Sequence, residues 1–277
     1  MNQPTLAIYN YAPVNGLNLY YERHGNGEPL VLLHGGLGAI EMFGDLLTLL
    51  AEERQVIAVD LQAHGRTADI DRPLRLELMA DDVAALIKHL RLDHADVMGY
   101  SLGGGVAWQT AIRHPEVVRR LVTVSAPVKR SGWYPEVVAA MGNVNTEAAE
   151  AMKPSPMYQL YSSIAPRPED WPTLVTKMGE LLQQDYDWSA DVTKIKSPTL
   201  IVVGDADSIR TGHAVEMFGL LGGGQRDGGW DGSGISSARL AILPGTTHFT
   251  IFDSPALVAV VVPFLNEPTA EPVGEGV

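Results

Sequence analysis

Residues Asp96 to Thr110 read DVMGYSLGGGVAWQT: a short apolar segment, a tight cluster of glycines around one serine, then a helical pattern. Gly99-Tyr-Ser-Leu-Gly103 sits between the apolar segment ending near Met98 and the helical run from Gly104 to His114, which is the strand–turn–helix setting of a G-x-S-x-G motif. Glycine at 99 and 103 leaves room for a sharp turn that lifts the Ser101 hydroxyl above a sheet, beside the positive end of a helix dipole. A strand feeding directly into a helix is the unit of an α/β fold, so the flanking sequence is read for more of the same.

Outward from this stretch, Leu30–Leu33, Val56–Val59, Asp96–Met98 and Leu121–Val124 are short apolar runs bounded by turn-forming residues, as expected of buried parallel strands. Helical spacing over Met42–Ala51 and Leu76–Leu90 supplies the crossovers. Asn15-Gly16 between Tyr9–Val14 and Leu17–Arg23 marks a hairpin, so the sheet opens antiparallel. The alternation stops from Pro127 to about Ala190, where prolines 135, 154, 156, 166, 168 and 172 cut the chain into short helical pieces. It resumes with Thr199–Val203, Leu240–Leu243 and a last helix over Ala256–Leu265. The expected division is an α/β core from 1–127 and 191–277, with a helical cap from 128–190. Gly222 to Gly234 holds seven glycines in thirteen residues and is expected to be a mobile surface loop.

Composition narrows the chemistry. A hydrophobic content of 45% in 277 residues is that of a folded globular chain. A net charge of −13 disfavours a nucleic-acid partner. With no cysteine there is no disulfide, thiolate metal site or thiol nucleophile. Met1 to Asn10 has no signal-peptide character and Ala256–Leu265 is too short to span a bilayer, so a cytoplasmic protein without a membrane span is expected. No phosphate-loop pattern or metal-ligand cluster occurs, and no cofactor or metal is implied.

A serine nucleophile needs a base, and neutral histidine suits that role near neutral pH. His248, in Pro-Gly-Thr-Thr-His-Phe between the last strand and the last helix, emerges at the carboxyl edge of the sheet where ligands bind. His24, His89, His94, His114 and His213 lie among polar residues and read as solvated, and His34 as structural. The histidine needs an orienting carboxylate, which Asp207 of Gly-Asp-Ala-Asp supplies after Thr199–Val203, with Asp205 as its neighbour and competitor. The strand at Leu121–Val124 ends in Ser-Ala-Pro and offers no carboxylate. Backbone N–H groups of Gly36, in His-Gly-Gly, and of Leu102 are placed to receive an oxyanion.

The order HGG, D-x-x-x-H-G-R-T at Asp60–Thr67, GYSLG, GDAD and a late histidine resembles the α/β-hydrolase family over nearly the whole chain. The resemblance implies a Ser101–His248–Asp207 triad, a mostly parallel eight-stranded sheet and a helical cap. Ala63 stands where that family often has glycine, and the Gly-rich loop lengthens the interval from Asp207 to His248. Haloalkane dehalogenases and epoxide hydrolases of this family use aspartate at the position of Ser101. Carbon–carbon bond hydrolases usually follow the late histidine with Trp, where Phe249 stands here, and proline iminopeptidases carry GGSWG at the elbow. Carboxylic esters remain as substrates, then lactones, including N-acyl-homoserine lactones. A small-molecule receptor that keeps a triad but turns over slowly is the reading from another class. The segment from Lys129 to Ala190 holds seven of nineteen aromatic residues and four of nine methionines, which suits an apolar ligand; Trp133, Tyr158, Tyr161 and Trp188 are the expected wall.

Overall fold

The computed structural model describes residues 8–268. Among these residues eight strands form one sheet: β1 (Ile8–Val14), β2 (Leu17–His24), β3 (Pro29–Leu33), β4 (Gln55–Val59), β5 (Ala95–Tyr100), β6 (Val118–Val124), β7 (Thr199–Ala206) and β8 (Ala238–Thr247), in the order β1-β2-β4-β3-β5-β6-β7-β8. β2 pairs antiparallel with both β1 and β4, and every other pairing is parallel. The opening hairpin turns at Asn15 and Gly16, both with positive φ, 47° and 83°. That is the twist-matched turn for which Asn-Gly is suited.

Among the described residues ten α-helices lie between and after the strands: α1 (Asp45–Ala51), α2 (Leu76–His89), α3 (Leu102–Arg113), α4 (Pro135–Met141), α5 (Thr146–Ala151), α6 (Pro156–Ile164), α7 (Trp171–Leu182), α8 (Ser189–Val192), α9 (Thr211–Leu220) and α10 (Pro255–Asn266). In β3, Val31 and Leu33 join one apolar cluster with α2, α3 and α9, whereas Leu30 and Leu32 join another with α1 and α10. A strand covered on both faces has no polar side to alternate with, which is why LVLL is continuous. Among the described residues no helix is long and apolar enough to cross a membrane.

Between β6 and β7, α4 to α8 build the helical segment. α4 has no buried residue and α6 only Tyr161, while α7 buries Trp171, Leu174, Val175, Met178 and Leu181. Trp171 is the anchor: its indole N–H donates to the Ala149 carbonyl at 2.9 Å, and the rings of Tyr158 and Tyr161 pack on it at 5.4 and 5.3 Å. The chain ahead of α5 crosses α7 at Gly179, where a Cβ would come within 1.9 Å of the Val144 carbonyl oxygen.

One histidine departs from expectation. His213 is not solvated but 2% exposed; its Nδ1–H donates to Glu216 at 2.9 Å and its Nε2 accepts from the Val128 amide at 3.3 Å. Burial pushes its pKa down, against the opposing pull of Glu216. His24 and His114 are half-buried beside Glu22 and Asp81, while His89 and His94 are exposed. The stretch 221–237 forms neither helix nor strand; it is folded on itself by bonds such as Gly234 N–H to the Gly228 carbonyl at 2.9 Å. Because β7 and β8 run parallel with Thr199 opposite Ala238, α9 carries the chain back to the amino edge, and this stretch lies at the end of the sheet away from Ser101. The lengthened interval before His248 therefore leaves the carboxyl edge untouched.

Candidate active site

The elbow is set by lack of space. A Cβ on Gly99 would lie 2.0 Å from the Gly103 carbonyl oxygen, one on Gly103 2.3 Å from that of Leu33, and one on Gly104 2.4 Å from the Ala126 methyl group. With those positions bare, β5 passes into α3 through Ser101, held at φ 50° and ψ −112°. This is a backbone region that costs a non-glycine residue about 1–3 kcal/mol. The turn is tied on both sides, by the Ser101 amide to the Val124 carbonyl at 2.9 Å and by the Gly103 amide to that of His34 at 3.0 Å.

Three strand ends bring the expected residues together. His248 Nε2 lies 3.1 Å from Ser101 Oγ, and its Nδ1 lies 3.0 Å from Asp207 Oδ1. Asp207 is 6% exposed, whereas Asp205, two residues earlier, points to solvent and pairs with none of these groups. Burial by itself would raise the Asp207 pKa, but the His248 ring, the Ser125 hydroxyl and the Gly204 amide outweigh it and hold the carboxyl below its ordinary value. It is therefore a carboxylate at neutral pH.

Two supports carry no sequence signature. Ser125, fully buried with φ 53° just after β6, donates its hydroxyl to Asp207 Oδ2, which also accepts the Gly204 amide at 3.0 Å. The Tyr100 hydroxyl donates to the His248 carbonyl at 2.7 Å and its ring packs on the imidazole at 5.1 Å, fixing the histidine's loop from below. The left-handed turn after β6 is the one signal that a serine there had a special task, and it is invisible in Ser-Ala-Pro.

Gly36 and Leu102 face one another across the same space: a Cβ on Gly36 would lie 3.8 Å from the Leu102 Cβ. Neither amide takes part in the turn and loop hydrogen bonds of the described residues. His34 is structural as expected, with Nδ1–H to the Gly35 carbonyl at 2.8 Å and Nε2 accepting the Leu61 amide at 3.0 Å. Burial lowers its pKa to about 3 and that of neighbouring His64 to about 4. Asp60 knits the same loops through the amides of Ile40 and Arg66, at 3.0 and 2.8 Å, with burial pushing its pKa up to about 6. In this loop Ala63 adopts φ 64°, so the left-handed turn survives the absence of glycine.

Over Ser101 lies a cavity of about 640 Å³ whose wall includes Leu76, Val137, Met141, Met178, Leu181, Trp133 and Trp188. Trp133 also meets the His248 ring edge-on at 5.6 Å. Tyr158 and Tyr161 are not part of this wall: their rings are spent on Trp171, because short helices with few buried residues need aromatic contacts simply to stay together. Tyr186, on the loop after α7, takes a place in the wall that no sequence pattern announced. No group of three or more His, Asp or Glu side chains among the described residues is arranged to hold a metal ion.

Comparison with known proteins bears on the fold. Residues 28–162 match the family model for the alpha/beta hydrolase fold. The chain is 34% identical over 145 residues to a soluble epoxide hydrolase from Corynebacterium sp. (strain C12), 50% of each chain. It is 26% identical over 202 residues to the serine hydrolase BPHL of Mus musculus, 71% of this chain and 69% of that one. The match thus spans only about half the length of the first of these relatives. In structure, the enol-lactonase from Burkholderia xenovorans LB400 superposes with a TM-score of 0.68 at 23% identity, over 93% of this chain and 100% of the other. The chain therefore has the alpha/beta hydrolase fold, and the family model for that fold matches just under half of it.

Proposed function

We propose that the protein is a serine hydrolase that cleaves carboxylic esters through an acyl-enzyme, with 128–190 acting as a cap over the reacting groups. The observation that carries this reading is the imidazole of His248 suspended between Ser101 Oγ, 3.1 Å away, and the Asp207 carboxylate, 3.0 Å away, beneath an apolar cavity. His248 Nε2 takes the proton as Ser101 Oγ attacks the ester carbonyl, and Asp207 keeps the proton on Nδ1 and balances the imidazolium. The amides of Gly36 and Leu102 receive the developing oxyanion. His248 then protonates the departing alcohol, and water repeats the sequence to release the acid. An epoxide-opening reading in which a carboxylate attacks has no carboxylate at the elbow to perform it.

The test is hydrolysis of p-nitrophenyl esters of graded chain length beside a set of lactones, with wild type and Ser101→Ala. The variant is expected to fold and to lose on the order of 10⁴- to 10⁶-fold in rate. Each methylene taken into the cavity should raise kcat/KM roughly two- to fourfold until the space is filled. Retention of more than about a tenth of wild-type activity by Ser101→Ala would remove the serine from its role, in view of the size of ordinary triad losses. Lactones cleaved in preference to open esters would move the substrate class to lactonase. A burst without further turnover would favour a small-molecule receptor.

A further inference from the structure

Most polar groups around the cavity are already committed to protein partners. Arg130 reaches the carbonyls of Leu182 and Gln184, and the Gln184 side-chain oxygen accepts from Arg75. Tyr186 is different. Its phenolic oxygen accepts the indole N–H of Trp133 at 3.0 Å, and no described residue accepts its own O–H proton. The residue is held firmly: its ring stacks on Trp188 at 4.6 Å and its carbonyl takes the Arg130 amide at 2.9 Å. Burial pushes its pKa up to about 12, against the Trp133 hydrogen bond that lowers it, so the phenol stays protonated throughout the neutral range.

We propose that Tyr186 is a specificity-determining hydrogen-bond donor for a second, neutral oxygen of the substrate, such as an ether or ketone oxygen, set one indole away from the imidazole of His248. The placement follows from the chain of contacts: His248 to Trp133 at 5.6 Å, edge to face, and Trp133 Nε1 to the Tyr186 oxygen at 3.0 Å. An O–H without an acceptor in an apolar wall disfavours a purely hydrocarbon ligand, since that ligand would keep the donor from water and give nothing back. A carboxylate is disfavoured in turn, because the cavity lining also includes Glu77, Asp185 and Asp187, and its arginines, Arg75 and Arg130, are engaged with protein oxygens. The inference rests on the hydrolase reading for the position of the scissile bond, and on the cavity alone for the donor.

The experiment uses p-nitrophenyl alkanoates and matched esters in which one methylene, at successive positions beyond the third carbon, is replaced by an ether oxygen. Each rate is divided by that of hydroxide hydrolysis; a parallel series carries the oxygen in the alcohol part. In wild type, one position is expected to be preferred over its all-carbon partner by about three- to tenfold in kcat/KM, the size of one neutral hydrogen bond. Tyr186→Phe should abolish that ratio, and Trp133→Phe should reduce it by releasing the phenol from its fixed direction. The series in which the preference appears tells whether the acyl or the alcohol part lies against Tyr186. No preferred position in wild type, or a preference that survives Tyr186→Phe, overturns the proposal. Calorimetric binding of long-chain methyl ketones with and without the ether oxygen needs no turnover. If esters are inert, yet wild type binds the ether ketone more tightly than its all-carbon partner and Tyr186→Phe binds the two alike, Tyr186 keeps its role and the ester reading falls.

Discussion

The elbow and the helical segment above it are built on opposite economies. At the elbow the backbone leaves nothing to choose: Gly99, Gly103 and Gly104 each sit where an added Cβ would overlap another atom by more than any side chain tolerates, and β5 is buried from end to end. In the segment from α4 to α8 the helices are short and often exposed, and side chains hold them together one ring at a time. Where backbone contact dictates structure, residue identity is a reliable sign of geometry. Where side-chain contact does, the same aromatic residue serves equally as adhesive or as lining.

The sharpest break in this comparison lies between two carboxylates on one loop. Asp207→Asn is expected to cost on the order of 10⁴-fold in kcat, by leaving the imidazole in the wrong tautomer, while Asp205→Asn stays within about twofold, as a surface change should. Steady-state kinetics on both variants decides it, and comparable losses would mean that burial beside His248 is not what gives Asp207 its part. Next in size is a test of the elbow's rigidity. Gly103→Ala places a methyl group 2.3 Å from the Leu33 carbonyl, so a loss above about 4 kcal/mol or a failure to fold is expected. Gly212→Ala in α9, where the new Cβ meets no atom within 4 Å beyond its chain neighbours and its own helix backbone, should gain about 0.5–1 kcal/mol instead. Urea denaturation of the pair measures the contrast; a mild Gly103→Ala would show the turn to be softer than its contacts imply.

The helical segment is sharpened by separating adhesive from lining. Trp171→Ala removes a fully buried indole and is expected to cost about 3–5 kcal/mol. Trp133→Ala, at the cavity wall, should show the reverse balance, with the larger effect on kcat/KM. Thermal melts beside kinetics tell them apart, and equal profiles would erase the distinction.

The smallest effect expected is on acid stability, and its sign can be worked out. His34 and His64 have folded pKa values depressed to about 3 and about 4, so their neutral burial contributes in full above the unfolded value of about 6.5 and is lost as pH falls from there. Asp60, raised to about 6, acts the other way: its burial is favourable when protonated, and that contribution disappears as pH rises through about 6. Two histidines oppose one aspartate, so the urea midpoint should fall between pH 6.5 and pH 4.5, less steeply than the histidines alone would make it. A midpoint that rises over this interval would mean that Asp60 dominates.

The same contrast explains what could be read in advance. Ser101, His248 and the parallel strands announce themselves through local constraints: glycine spacing, continuous apolar runs, a loop after a strand. Asp207 was separable from Asp205 only by burial, which depends on β6 and β7 lying side by side. Ser125 and Tyr100 were illegible because their tasks, holding Asp207 and the His248 loop, exist only across strands. Tyr158, Tyr161 and Tyr186 show the limit most plainly. Composition marked a region rich in aromatics, but nothing in the spacing told which rings would face Trp171 and which the cavity.

The compact loop at the amino edge has a spectroscopic consequence. Its tip carries Trp230, fully exposed, whereas Trp108 and Trp171 are wholly buried and Trp133 and Trp188 belong to the cavity wall. The five indoles therefore fall into three optical populations, and a neutral quencher in solution meets Trp230 first. Replacing Trp230 with Phe, far from the reacting groups, would leave a protein whose remaining quenchable emission comes from the wall over Ser101. Intrinsic fluorescence would then follow the opening and filling of that cavity without an added label.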